Sequence, residues 1–202
     1  MSPRIGVGER RREQVKQAAL ACLMDKGYDN LSVRAVAARA GVSTGVLYHY
    51  FRNKDDILIQ SLATAFAGTN QALRDAVEQQ QGEARLLAYL AHASTLGSQD
   101  PTTVQVLLNG LGQVPYAPAI RERLGRLFAS FREYAGGVLA GSAGSAGLPP
   151  DRQEALAALI VAIGLGLSIQ WATDPESVSP ERCGEALRQL FTLYAKGGTA
   201  DV

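Results

Sequence analysis

One short motif in the sequence could carry covalent chemistry. Gly41, Ser43 and Gly45 fit the pattern G-x-S-x-G, in which a serine hydroxyl attacks an acyl carbon. That chemistry needs a β-strand leading into the serine, and an acid and a histidine later in the chain. The preceding letters, AVAARA, instead favour a helix. We therefore interpret Ser43 as a helix cap, and a serine hydrolase is kept as an alternative.

Other catalytic or cofactor chemistry has little support in the sequence. The histidines His49 and His92 and the cysteines Cys22 and Cys183 do not lie at metal-ligand spacing. A glycine-rich loop of the kind that cradles phosphates is also not found. We predict a protein that is not an enzyme and that holds no metal and no cofactor.

A second group of residues has the types and spacing that suit contact with a polyanion. Two short helices are predicted at 32–40 and 44–51, joined by a turn at Gly41, which are the dimensions of a helix-turn-helix. On the second helix an apolar stripe is predicted to pack inward, and it consists of Val46, Leu47, Tyr50 and Phe51. The opposite face has no acidic residue, as contact with phosphates requires, and it consists of Thr44, Gly45, Tyr48, His49 and Arg52.

The position of these residues on the helix predicts their roles. The first turn of a recognition helix meets base edges, so Thr44 would read a base through its hydroxyl and methyl groups. Gly45 would permit close approach of the backbone, and Tyr48 and His49 would reach phosphates or base edges. Flanking residues would hold the DNA backbone, including a basic arm near the N-terminus. The full predicted DNA-binding set is Arg10, Arg11, Arg12, Ser32, Arg34, Ser43, Thr44, Gly45, Tyr48, His49 and Lys54.

Charge and periodicity indicate the elements that must position these residues. Residues 1–54 carry ten Lys and Arg and four Asp and Glu, whereas the remaining residues carry ten and fifteen. Runs of alternating apolar residues are absent, and helical spacing continues almost throughout the 202 residues. We predict an all-α fold of about nine helices, with a DNA-binding module at 1–54 and a ligand-binding and dimerisation domain at 55–202. The letters at 141–147 predict a flexible linker.

The N-terminal module also resembles a known family. The pattern spans about residues 9–60 without gaps and reads Gly27-Tyr28, Ser32-Val33-x-x-Val36-Ala37, Ala40-Gly41-Val42-Ser43-x-Gly45-x-Leu47-Tyr48-x-Tyr50-Phe51 and Lys54-Asp55-x-x-Leu58. It is similar to the DNA-binding domain of the tetracycline-repressor (TetR) family. The resemblance implies an all-helical homodimeric repressor that releases DNA when its C-terminal domain binds a small effector. It also implies DNA contacts at Ser43, Thr44, Gly45, Tyr48, His49 and Lys54.

Two helices near the C-terminus, at 150–172 and 180–196, are predicted to form a dimer interface. The first is apolar on nearly every side, so something must cover it. Small residues at four-residue spacing would let a partner helix approach closely. The predicted interface consists of Ala158, Ala162, Gly166, Leu187, Leu190 and Phe191. The alternatives are an internal core helix and a membrane span, and we expect no membrane because Ser168, Gln170 and glycines interrupt the apolar stretch.

An effector pocket is predicted between the middle helices. Its candidate lining mixes aromatic rings with a few polar tips and consists of Tyr89, His92, Leu108, Tyr116, Phe128, Phe131 and Trp171. Asp100 is the only charged residue between Leu86 and Tyr116, which favours a small, largely apolar effector. Each of these residues could equally be an ordinary core residue.

Together these patterns predict a dimeric, ligand-responsive transcriptional regulator that acts as a repressor. Its expected partners are double-stranded operator DNA, a second copy of the chain and a small molecule whose identity the sequence does not give. We expect a cytoplasmic protein, because the charged start MSPRIGVGERRREQ has no apolar core behind it. A helical interaction protein without DNA binding is an alternative, beside the hydrolase.

Overall fold

The computed structural model describes residues 7–142 and 148–197, and that part of the chain folds into nine α-helices without a strand. The helices are α1 (Val7–Lys26), α2 (Val33–Arg39), α3 (Thr44–Leu47), α4 (Lys54–Glu78), α5 (Gly82–Gln99), α6 (Pro101–Gln113), α7 (Pro118–Ala140), α8 (Pro150–Thr173) and α9 (Pro180–Gly197). The predicted all-α fold is confirmed. The predicted linker at 141–147 falls mainly on residues 143–147, which lie outside the described residues.

Local signals in the sequence account for the start of α2. Helix α1 ends before Gly27, whose φ of +68° is a left-handed conformation that suits a residue without a side chain. The hydroxyl of Ser32 then accepts a hydrogen bond from the N–H of Ala35 at 3.2 Å. This bond satisfies one of the backbone donors that a helix leaves free at its N-terminus, so α2 begins where the serine occurs.

Helix α3 begins in the same way but ends sooner than predicted. Gly41 turns the chain with a φ of +61°, and the Ser43 hydroxyl accepts from the N–H of Val46 at 3.2 Å. The prediction of a helix over 44–51 is wrong, because α3 ends at Leu47. Beyond it the carbonyl of Leu47 accepts both the N–H of Tyr50 at 2.9 Å and the N–H of Phe51 at 3.0 Å, so the regular series of helical bonds ends at this residue.

The contacts between Cα atoms divide the chain into two compact units. Unit 1 comprises the described residues up to Ala67 together with Gln105–Leu124, and unit 2 comprises Gly68–Val104 and the described residues from Gly125 onward. In unit 1, α1 packs on α2 and α2 packs on α3. The predicted division by role, at residues 1–54 and 55–202, stays a prediction.

Unit 2 is organised around α5, which packs against α8 and α9. Close approach depends on glycines. A Cβ atom on Gly97 would lie 2.7 Å from the Cα of Ser168, and one on Gly164 would lie 3.1 Å from the carbonyl oxygen of Ala93. Helix α5 and helix α8 can therefore touch backbone to backbone.

Helix α8 is long and apolar enough to cross a membrane, by length and composition alone. One face of α8 is buried within unit 2, and it consists of Ala157, Ile160, Gly164 and Ser168. A core helix of a globular protein passes the same test of length and composition.

Candidate functional site

The face of α3 that was predicted to contact DNA is open to solvent. Thr44, Gly45, Tyr48 and His49 are all exposed, and Tyr48 keeps 58% of its surface accessible. The opposite side is anchored by Leu47, which is fully buried. The short helix therefore presents a polar, aromatic surface on a fixed apolar base.

Two serine hydroxyls accept a helix-capping hydrogen bond and can still donate their own hydrogen. Ser32 and Ser43 each accept one backbone N–H at the start of their helix. A hydroxyl that accepts a bond still has its own hydrogen to donate. Both serines are exposed, so each could donate to a phosphate oxygen while it caps its helix.

Lys54 is held at the start of α4 by two partners. Its Nζ donates to the carbonyl oxygen of Asp29 at 2.8 Å and lies 4.2 Å from the centre of the Tyr28 ring. An ammonium group has three donors, so the bond to Asp29 leaves two for a phosphate. The ring and the carbonyl fix the position of the charge without neutralising it.

Tyr28, whose ring lies beside Lys54, is itself held in place by two hydrogen bonds. Its hydroxyl donates to Asp55, and its backbone N–H donates to the side-chain oxygen of Asn109 at 2.9 Å. Burial, and then the hydrogen bond to Asp55, raises the pKa of Tyr28 to about 12. The phenol therefore stays neutral and continues to donate throughout the ordinary pH range.

The basic residues near the N-terminus are not a free arm. Arg10, Arg11 and Arg12 are exposed on α1, which begins at Val7, so the prediction of an arm is wrong for the described residues. Consecutive residues point about 100° apart around a helix, so the three arginines do not share one face. Arg34 is exposed on α2.

The predicted effector residues are only partly brought together. Tyr89 and Phe131 line one small cavity of about 50 Å³ in unit 2. Trp171 lines a different, open pocket. Leu108 and Tyr116 are exposed and belong to unit 1, so they are not part of that cavity. The Phe128 ring lies beside the Phe131 ring, with 6.4 Å between centres.

His92 stands apart from that cavity. It is half-buried on α5, and its Nε2 is buried without a hydrogen-bond partner in the described part of the chain. Desolvation lowers the pKa of the imidazole, because burial penalises its charged form.

The small cavity contains residues that the sequence did not single out. The rings of Tyr89 and Tyr134 lie 5.9 Å apart, and the guanidinium carbon of Arg74 lies 5.1 Å from the centre of the Tyr134 ring. The Tyr134 hydroxyl is buried and has no hydrogen-bond partner in the described chain. The complete lining is Asn70, Leu73, Arg74, Tyr89, Ser130, Phe131 and Tyr134. It draws on the three helices α4, α5 and α7. Helical spacing relates Phe131 to Tyr134 on α7, and Asn70 to Leu73 and Arg74 on α4, but it does not relate one helix to another.

The predicted interface residues fall into two groups. On α8, Ala162 is exposed, Ala158 and Gly166 are half-buried, and the neighbouring Leu159 is 58% exposed. This surface lies across the helix from the buried face, so α8 is apolar on both sides.

On α9 the exposed apolar residues are Leu190, at 62%, and Leu193, at 66%. Leu187 is half-buried. Phe191 packs against the apolar core of its own unit, so it is at best partly available to a partner. Leu193 was not predicted, although it follows Leu190 by three residues on the same side of α9.

Comparison with known proteins identifies the class of the chain. Residues 17–60 match the family model for bacterial regulatory proteins of the tetR family. Residues 82–193 match the model for the C-terminal region of BetI-type transcriptional repressors. The second match alone covers more than half of the chain.

Curated relatives match over shorter stretches. The regulator BetI from Pectobacterium carotovorum is 43% identical over 56 residues, which are 28% of this chain and 29% of that protein. BetI from Cronobacter sakazakii is 36% identical over 93 residues, which are 43% of this chain and 44% of that protein. The matches thus span less than half the length of these relatives.

Solved structures match over nearly the whole chain. A protein from Pseudomonas aeruginosa PAO1 is 25% identical with a TM-score of 0.82, covering 96% of this chain and 94% of that one. A protein from Saccharomonospora viridis, solved with choline, is 18% identical with a TM-score of 0.72 and covers 91% and 96%. FadR from Bacillus subtilis, solved with stearoyl-CoA, is 18% identical with a TM-score of 0.71 and covers 89% and 96%. The last two share the fold alone.

These findings remove the hydrolase alternative, because Ser43 caps α3 directly after a helix and a glycine turn, and the matched families consist of transcriptional regulators. Within the described residues, no group of three His, Cys, Asp or Glu side chains could hold a metal ion. The chain belongs to the TetR family of bacterial transcriptional regulators, and its C-terminal region is of the BetI repressor type.

Proposed function

We propose that this regulator is a homodimeric repressor that leaves its operator when a small effector binds. The observation that carries the DNA-binding part is the exposed face of α3, which has no acidic residue and rests on a buried Leu47. Thr44 reads a base edge from the first turn, and Tyr48 and His49 reach neighbouring bases or phosphates. Ser32, Arg34, Ser43 and Lys54 fix the register on the phosphate backbone.

The dimer is proposed to form through the outer face of α8 together with α9. Leu159 on α8 and Leu190 and Leu193 on α9 are exposed, and apolar surface in contact with water is unfavourable compared with buried apolar surface. A second copy covers this apolar surface with an equivalent one, as two-fold interfaces do. Two reading helices then address half-sites about 34 Å apart, or a multiple of that distance.

The effector is proposed to bind in unit 2, at the cavity lined by Tyr89 and Phe131. That cavity is about 50 Å³, whereas a site for a whole drug-sized ligand is about 300–1,000 Å³. A cavity of this volume holds a headgroup only, so binding of a larger effector must shift the population toward a more open form. By linkage, the effector and the operator weaken each other's binding by the same factor.

The proposal is tested by fluorescence anisotropy with DNA from upstream of the gene, at several salt concentrations. We expect sequence-specific binding with a steep salt dependence, because phosphate contacts release counterions. Thr44→Ala should change base preference at one operator position, whereas Thr173→Ala, an exposed threonine at the end of α8, should not.

Failure to bind any duplex more tightly than random DNA would contradict the proposal and favour a helical interaction protein. Choline and stearoyl-CoA, which the two solved neighbours hold, are the first effectors to add to the bound complex. Release of DNA by either one would support the effector-binding part.

A further inference from the structure

The small cavity in unit 2 carries a positive charge, which limits the class of ligand that it can bind. Among its seven lining residues Arg74 is the only one with a formal charge, and it carries a cation. An uncharged cavity would accept a cation against its aromatic rings. Here Arg74 already lies against the Tyr134 ring, so a second cation would have to displace it.

The ion pair between Arg74 and Glu78 competes only weakly with a ligand for the guanidinium group. The guanidinium of Arg74 lies 3.7 Å from the carboxylate of Glu78, and both side chains are more than half exposed. Exposed pairs of this kind contribute little to stability, because water screens the charges. A ligand carboxylate can therefore take the place of Glu78 at little cost.

A second unused donor lies in the same cavity. Tyr134 lines it, and the Tyr134 hydroxyl is buried without a partner. A buried hydroxyl without a hydrogen bond costs free energy, which a ligand acceptor would recover. Asn70 and Ser130 add further polar groups to the lining, and Leu73, Tyr89 and Phe131 supply apolar walls.

We infer that the cavity takes the carboxylate of a small monocarboxylic acid with an apolar body, paired with Arg74 and hydrogen-bonded by the Tyr134 hydroxyl. The volume of about 50 Å³ suits a headgroup of this size, since one water occupies about 30 Å³ in the liquid. The apolar body lies against Phe131 and Leu73 as the cavity opens. This inference rests on the proposed function, because it names the class of the effector.

The test compares acids with their neutral amides by calorimetry on the full chain. The probes are phenylacetate with phenylacetamide, and hexanoate with hexanamide. We expect at least one acid to bind more tightly than its amide by about tenfold or more, because a charged bidentate pair is lost in the amide. Arg74→Gln should bring the ratio of acid to amide affinity close to one, and Arg74→Lys should restore part of it.

Two more variants complete the design. Tyr134→Phe should weaken the acid several-fold and leave the amide less affected, since it removes the hydroxyl alone. Arg121→Gln removes an exposed arginine outside the cavity lining and should keep the wild-type ratio. The thermal midpoint of each variant verifies that it is folded.

Either of two results would overturn the inference: neither acid binds, or the ratio of acid to amide affinity survives in Arg74→Gln. If choline releases the operator while both acids fail to bind, the inference is wrong and the proposed function stands. If the wild-type chain binds no operator, the proposed function fails independently of the calorimetry.

Discussion

Two exposed helix surfaces, the face of α3 proposed to read DNA and the outer face of α8, differ in chemistry. The reading face presents Thr44, Tyr48 and His49, which water satisfies until a polyanion replaces it. The face of α8 presents Leu159 and Ala162, which water does not satisfy. The difference suits two kinds of partner, because water hydrates the polar groups of the first surface well, whereas the apolar groups of the second are more favourable when buried.

The largest effect is expected from a charge introduced on the outer face of α8. Ala162→Glu would place a carboxylate in the proposed seam twice, once from each copy. An unpaired buried charge costs about 3–5 kcal/mol, so we expect monomers by light scattering and at least about a hundredfold weaker operator binding. Ala172→Glu, an exposed alanine on the last turn of α8, is the matched control. A dimer that survives Ala162→Glu places the interface elsewhere.

The next largest effect is expected on stability, from a substitution that disturbs the packing of α5 against the buried face of α8. In Gly97→Ala the new methyl group would lie 2.7 Å from the Cα of Ser168, so α5 and α8 must move apart. We expect a loss of about 1–3 kcal/mol in the free energy of unfolding, measured with urea at fixed protein concentration.

The matched control is Gly125→Ala, on α7, where a methyl group meets nothing within 4 Å. It should leave stability unchanged or raise it by up to about 1 kcal/mol through helix propensity. Equal effects of the two substitutions would mean that α5 and α8 do not pack as closely as described.

On the reading side, Lys54 tests the phosphate contacts. Lys54→Ala removes one cation, so we expect operator binding to weaken on all sequences alike. The slope of affinity against salt should fall by about 1. Lys54→Arg keeps the charge and should keep the slope. A change in base preference with an unchanged slope would show that Lys54 reads bases instead.

The smallest expected effect concerns pH. Burial lowers the pKa of His92 in the folded chain, so the unfolded chain takes up a proton first as the pH falls. Stability that is present above about pH 6.5 is therefore lost as the pH falls below that value. His92→Gln and His92→Leu should both reduce the change in thermal midpoint between pH 7 and pH 5. A thermal midpoint of the wild-type chain that does not change between pH 7 and pH 5 would contradict the expected effect of burying His92.

The part of the fold that the sequence predicts well is the part fixed by local bonds. Ser32 and Ser43 cap α2 and α3, and the side-chain oxygen of Asn53 accepts the N–H of Asp56 at 2.9 Å at the start of α4. Each of these bonds joins residues three apart, so the letters alone indicate them. The end of α3 was misjudged because the apolar stripe continues to Phe51 after the helix has tightened into turns.

Two of the seven residues that line the candidate cavity were predicted, and the rest were not because the lining comes from different helices. Tyr89 and Phe131 were identified as aromatic candidates, but Arg74 has no sequence signal that links it to Tyr134 sixty residues later. Leu108 and Tyr116 were chosen for composition, and the fold leaves them exposed. Phe191 lies on the same stripe as Leu190, and the rotation of α9 turns it toward the core.

The most direct test of the central claim is selection from a pool of random duplexes with the full chain. If the face that begins at Thr44 reads DNA from a two-fold symmetric dimer, the enriched sequences will be palindromic. Their half-sites will be centred about 10–10.5 base pairs apart, or a multiple of that spacing. A variant carrying Thr44→Ala together with Tyr48→Ala will not enrich the same sequence. Enrichment of that palindrome by the double variant, or no enrichment by the wild-type chain, would contradict the account.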